Sequence, residues 1–167
     1  MGYTHYYGFT KYANQKRINE LFPTAVELFK DGLALLPKRL SRYGRRSYLV
    51  LCGWDGEAKS KPVINNNEIR FNGKGDYAHE TFLLDHNTRS EFCKTARKPY
   101  DLAVCMCLLC FKEVFGDDFR YSSDGYCPED DSVKEGREKL EYEWAKAVKY
   151  FDELMAEREC RQFVSSK

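Results

Sequence analysis

Three stretches of the chain carry residue types that could do chemistry. The densest is Cys93-Lys94-Thr95-Ala96-Arg97-Lys98-Pro99-Tyr100-Asp101, where three cations stand just before an apolar run. A helix starting there presents unpaired N–H groups and a partial positive charge, which suits phosphate or carboxylate. Arg97 adds a planar fork for two oxygens at once. Tyr100 can stack on a ring or make a hydrogen bond. The plain alternative is that the cations are solvated and Asp101 only caps the helix as its N-cap. The second stretch is Ser122-Ser123-Asp124-Gly125. Loops at strand ends carry function, yet Asp-Gly and Ser are also ordinary turn residues. No serine has the G-x-S-x-G setting of an activated nucleophile. The third group is His5 with the pair His79-Glu80. Two histidines and a carboxylate can hold a metal, but the spacing is unlike H-E-x-x-H. A hydrogen-bonded structural histidine is the plainer reading. There is no Gly-rich P-loop, no G-x-G-x-x-G after a strand and no RNA-binding strand signature.

The seven cysteines are Cys52, Cys93, Cys105, Cys107, Cys110, Cys127 and Cys160. An odd count with three crowded into one apolar run is no disulfide framework. Cys107 and Cys110 have C-x-x-C spacing, but structural zinc needs four ligands and no second pair exists. They read as core thiols in a reducing compartment.

The chain has 167 residues, with 27 Lys+Arg against 26 Asp+Glu and a net charge of +1. That length suits one domain and buries about two-thirds of its unfolded surface. A content of 43% apolar and 15% aromatic residues excludes intrinsic disorder. The near-zero charge excludes bulk nucleic-acid coating. Its parts are less even: cations gather at 38–46 and 94–98, acids at 113–159. The start, Met1 to Tyr7, lacks the basic and apolar regions of a signal peptide. The longest strongly apolar run, Leu102–Phe111, is about half a membrane span. A soluble, cytosolic protein with no membrane partner is expected.

The elements that must position these residues follow from periodicity and turn signals. Gly2–Phe9 reads as a first strand. Within 11–30, apolar residues recur at helical spacing, with Pro23 expected to restart or bend the helix. Residues 33–46, with Pro37, Gly44 and five basic residues, read as a solvated loop. Tyr48–Cys52 reads as a short strand, and Glu68–Asn72 with Glu80–Leu84 as an antiparallel hairpin. Glu91–Lys94 is a further strand. A helix buried nearly all round runs from Asp101 to about Phe115, where Gly116 stops it. Phe119–Ser123 is the last strand. A long charged helix occupies 132–162, with Trp144, Val148, Phe151 and Met155 as its apolar stripe, and 163–167 are expected to fray. The pattern is a single α+β domain over 1–167: one small, mostly antiparallel sheet, a buried central helix, a long C-terminal helix and a basic insertion at 33–60.

Several strings occur in a distinctive order: Met1-Gly2-Tyr3-Thr4-His5-Tyr6, Pro62-Val63-Ile64-Asn65, Glu68-Ile69-Arg70-Phe71-Asn72-Gly73, His79-Glu80-Thr81-Phe82, the block Phe92 to Asp101, and Ser122-Ser123-Asp124-Gly125. This order resembles a widespread family of small bacteriophage and prophage proteins. The resemblance spans residue 1 to about 125, and the block ending in Tyr100-Asp101 is its most specific part. The chain departs in its longer, more basic segment 33–60 and in its long charged C-terminal helix. The resemblance implies a phage origin and action in the host cytoplasm. It also draws weight to polar residues: Thr4, His5, Asn72, Glu80, Thr81, Lys94, Arg97, Asp101, Ser122 and Asp124. Converging strands would bring them into one pocket at the N-terminal end of the central helix.

The favoured reading is a phage accessory protein, not an enzyme, that binds a small anionic, nucleotide-like ligand and sequesters a host immune signal. Lys94 and Arg97 would grip phosphate. Tyr3, Tyr100 or Phe82 would stack on a base, and Asn72, Asp124 and Glu80 would read polar edges. The ligand-binding set is Tyr3, His5, Asn72, Glu80, Thr81, Lys94, Arg97, Tyr100, Asp101, Ser122 and Asp124. It contains no catalytic residue and no metal ligand, and implies no cofactor. One alternative is a phosphoester or nucleotide hydrolase using His5, His79, Glu80 and Asp124. The other is a protein–protein inhibitor or assembly factor using basic segment 38–46 and the exposed side of the C-terminal helix, a surface that could also join copies as a homo-oligomer.

Overall fold

A computed structural model describes residues 2–42, 45–57, 59–134 and 136–165. In chain order the elements are β1 (Thr4–Phe9), α1 (Gln15–Leu35), β2 (Arg39–Arg42), β3 (Arg45–Tyr48), β4 (Leu51–Cys52), β5 (Val63–Ile64), β6 (Glu68–Gly73), β7 (Phe82–Asp85), β8 (Glu91–Lys94), α2 (Asp101–Phe115), β9 (Phe119–Ser123), α3 (Asp131–Lys134) and α4 (Tyr142–Ser165). The fold is α+β, and its strands pair antiparallel throughout the described residues.

Helix α2 sets the architecture. Every residue from Asp101 to Phe111 is buried. A helix without a polar face must be covered on all sides. Helices α1 and α4 and the sheet of β8-β1-β9 supply that cover. Gly32 lets α1 approach closely, since a Cβ there would lie 2.7 Å from Met106 Sδ. Asn14 opens α1, its side chain accepting from the Arg17 N–H at 3.2 Å. Gly116, at φ +56°, closes α2 in a conformation that favours glycine.

The expected single sheet is instead three small ones. Strand β1 is the centre of β8-β1-β9, with His5 opposite both Cys93 and Ser123. Strand β6 pairs with β7 in a hairpin, with β5 on its other edge, and with β4 at Asn72 and Gly73. Strands β2 and β3 form a separate hairpin. That hairpin replaces the solvated loop expected in segment 38–46, of which residues 43 and 44 lie outside the described residues. Tyr48 ends β3, so the expected strand at 48–52 shrinks to β4. Pro23 neither restarts nor ends α1, which runs through it. Phe22 on one side of it meets Phe111 at 5.1 Å, and Gly32 on the other packs on Met106, so packing on α2 outweighs the lost hydrogen bond. The expected helix over 132–162 splits into α3, a 3₁₀ turn at Arg137–Lys139 and α4. Trp144, Ala147, Val148 and Leu154 are the buried face of α4; Phe151 and Met155 are only partly buried against it. Residues 163–165 belong to α4, and 166–167 lie outside the described residues.

Candidate functional site

At the N-terminal end of α2, four elements bring polar side chains into a dry interior. Asp101 is the first residue of α2, not its cap; Tyr100 holds the cap position and makes no side-chain cap bond. The Asp101 carboxylate turns instead to His5 of β1, meeting its Nε2 in a short contact. Both side chains are fully buried. His5 Nδ1 lies 2.8 Å from Ser123 Oγ, as their cross-strand register dictates. The indole N–H of Trp144, on α4, donates to the same Oγ at 3.1 Å. The network closes with the Ser123 hydroxyl donating to Nδ1 and the Nε2–H donating to the Asp101 carboxylate. Tyr3 meets the His5 ring edge-on at 5.2 Å.

Over Tyr3 lies Arg97. Its guanidinium carbon sits 3.9 Å from the ring centre. Its backbone is unusual: Ala96 and Arg97 have φ of +48° and +56°. Non-glycine residues in this region are strained and persist only where the surroundings hold them. Here the Tyr3 carbonyl accepts from the N–H groups of Thr95 (2.9 Å) and Ala96 (3.2 Å). The strained turn aims Arg97 at Glu141 Oε2 (2.7 Å) and Glu143 Oε2 (3.6 Å). Burial opposes its charge, but the hydrogen bond and charge of Glu141 and the charge of Glu143 raise its pKa above the ordinary value.

Burial also pushes the Tyr3 phenol up, with the Asp101 carboxylate adding to it and the Arg97 charge opposing. The Cys105 thiol is pushed well up by burial, then by Asp101, Glu143 and Cys127. Both stay protonated at neutral pH.

The structure does not gather all the expected residues into one pocket. Tyr3, His5, Arg97 and Asp101 converge. Asn72, Glu80, Thr81, Lys94 and Tyr100 form a second cluster whose polar atoms hold loop 72–81 in place. Asn72 Nδ2 donates to the His79 carbonyl at 2.8 Å, and its Oδ1 accepts from the N–H of Gly73 (2.7 Å) and His79 (3.0 Å). Thr81 donates to the Trp54 carbonyl at 2.6 Å. Glu80 Oε2 accepts the Lys94 N–H at 2.7 Å, and Tyr100 donates to the Glu80 carbonyl at 2.6 Å. Tyr100 is fully buried, so it cannot stack on a ligand as expected. Asp124 accepts from the Thr4 N–H (3.0 Å) and the Tyr6 hydroxyl (3.2 Å) at the strand end. Ser122 lies elsewhere, in an open cleft of about 510 Å³ with Lys11, Arg89 and Arg120.

The four hydrolase candidates likewise have different surroundings. His5 is buried, His79 is exposed, and Glu80 and Asp124 accept backbone N–H groups. Among the described residues no hydrogen bond joins His79 to the other three. Arg97 is also no free anion grip, since carboxylates hold it. Sequence reasoning missed Trp144, Ser123 and Cys105 as partners of His5 and Asp101, and Glu141 and Glu143 as partners of Arg97. Only the single Trp at the start of the last helix hinted at such a role.

Arg97 does face an opening. A cavity of about 460 Å³ lies between Arg97, Lys98 and Pro99, the turn at Asp76 and Tyr77, the start of α4 at Tyr142, Glu143 and Lys146, and the β2–β3 hairpin. The Tyr142 hydroxyl donates to the Ser41 carbonyl at 2.8 Å and closes one wall. Lys98 Nζ donates to the Asp76 carbonyl at 2.8 Å, and Lys146 Nζ lies 4.8 Å over the Tyr142 ring. Fold and site thus define an α+β protein with a small amphipathic cavity seated over a buried polar network. Comparison of the chain with models of protein families, with curated proteins and with solved structures gives no match. No helix among the described residues is long and apolar enough to cross a membrane.

Proposed function

We propose that this is a binding protein for a small, anionic, ring-bearing ligand of nucleotide type, seated in the cavity beside Arg97. One observation carries the reading: three cations, Arg97, Lys98 and Lys146, and two rings, Tyr77 and Tyr142, share one space of about 460 Å³. Ligand cavities of roughly 300–1,000 Å³ take small molecules whole. With Arg97 held by carboxylates, Lys98 and Lys146 supply the charge for phosphate, and the acids in the wall, Asp76 and Glu143, can accept from ring N–H groups. Arg97 comes pre-aimed by Glu141 and by its strained turn, which lowers the ordering cost of binding. The resemblance to phage proteins supports a role in withdrawing a host signalling nucleotide.

Isothermal titration with cyclic dinucleotides, ADP-ribose derivatives and mononucleotides tests this. Binding of one class is expected, weakened about tenfold or more by Lys98→Glu with Lys146→Glu. Chromatography after incubation should return the ligand intact. No heat at high micromolar concentration of every probe sinks the reading, and a cleaved ligand turns it into a hydrolase.

A further inference from the structure

We propose that His5, Asp101 and Cys105 form a buried site for one divalent transition-metal ion, with zinc as the best match to the ligands. Ligand atoms of the three residues lie within 4.8 Å of one another, and all three residues are buried. Asp101 and Cys105 stand four apart on α2 and so share a helix face. His5 comes from the central strand of the packed sheet, so rigid elements hold every ligand. Imidazole, thiolate and carboxylate together are a zinc set, whereas carboxylates and carbonyls alone would favour magnesium or calcium.

A second observation points to the same spot. Among the described residues, Asp101 Oδ2 is buried without a hydrogen-bond partner, and so is the Tyr3 hydroxyl. Buried polar atoms in native proteins are almost always satisfied, by protein, water or an ion. Two orphan oxygens beside one histidine mark a missing occupant. Tyr3 packs edge-on against His5, with ring centres 5.2 Å apart. Its hydroxyl is the candidate fourth ligand.

The surroundings already have the form of a metal site's outer layer. A ligating histidine donates its second ring N–H to a fixed acceptor, which sets the tautomer. Ser123 Oγ stands 2.8 Å from His5 Nδ1 and is itself held by the Trp144 N–H. Metal binding would shift the imidazole proton from Nε2 to Nδ1, leaving Nε2 as ligand. Cys105 would release its thiol proton to solvent, with no change of oxidation state. The ion would pin β1 to the start of α2, directly under the Tyr3–Arg97 stack. The competing occupant is a water bridging the orphan oxygens.

Elemental analysis of the full chain and spectroscopy with cobalt decide between them, independently of any ligand in the cavity. About one zinc per chain is expected after purification without chelator. Cobalt added to the metal-free protein should give a thiolate-to-metal charge-transfer band. Cys105→Ser should abolish that band and weaken zinc binding about tenfold or more, while Cys160→Ser leaves both unchanged. Should Cys105→Ser fail to fold, the wild-type cobalt spectrum still decides. Absence of zinc together with absence of the cobalt band in folded wild-type protein overturns the site and leaves water as the occupant.

Discussion

Helix α2 and the β1–β9 ladder meet twice, and the two meetings are built from opposite chemistry. At one end Phe9 lies opposite Phe119, and both pack on Phe111 and on each other. Phe115 closes against Phe9 at 4.9 Å, and Phe22 of α1 reaches Phe111 at 5.1 Å. At the other end His5 lies opposite Ser123, His5 meets Asp101, and Trp144 meets both His5 and Ser123. Rings pack to high density with no polar debt. The polar end carries buried groups whose desolvation is offset only by specific partners. Stability therefore resides in the aromatic end. The polar end instead imposes one arrangement, with Arg97 strained and aimed at the cavity above it.

The largest expected effect is one that both ends share. Burial pushes the thiols of Cys93, Cys107 and Cys110 far above their ordinary values. The folded pKa values lie above the unfolded ones, so the stabilisation is complete below the unfolded value, about 8.5, and is lost as pH rises. Each thiol costs roughly 2 kcal/mol at about pH 10, on the order of 6 together, a large share of the stability of an ordinary domain. Urea titrations between pH 7 and 10 should show stability falling steeply. A flat profile would mean the thiols are not held in a dry core.

Phe111→Ala comes next, at about 3–5 kcal/mol by denaturant melts, since the ring touches four others. Asp101→Leu should cost less, about 2 kcal/mol, by leaving His5 without its partner. The pair His5→Phe with Asp101→Leu should cost less than the sum of the single changes, because the imidazole and the carboxylate leave together and neither is left facing an apolar side chain. Strict additivity in that cycle would erase the contrast between the two ends. Glu141→Gln should move stability by under about 1 kcal/mol, because the Arg97–Glu141 pair is nearly a third exposed. A larger loss would show that Arg97 supports the fold and not only the cavity.

Much of the fold was legible. Strands β1, β8 and β9, the β6–β7 hairpin and α2 follow from local periodicity and from turn residues such as Gly116. The β2–β3 hairpin was not, because a basic stretch carries no alternating apolar signal. The run of α1 through Pro23 was hidden for a related reason: it is decided by contacts with Phe111 and Met106 on another helix. In the candidate site the members His5, Arg97 and Asp101 were legible as polar residues at element ends. Their partners were not. Arg97 looked like a free cation because Glu141 lies 44 positions away.

By itself the sequence determined which segment must be central. Residues 101–111 have no polar face, and water excludes such a helix from the surface whatever surrounds it. It also placed strong hydrogen-bonding groups at that helix's start. Only the tertiary structure decided how those groups pair. His5 finds Asp101 across 96 positions and Ser123 across 118. Partner choice at such range is set by strand register and helix packing, because a hydrogen bond acts only within about 3 Å and carries no trace in local sequence.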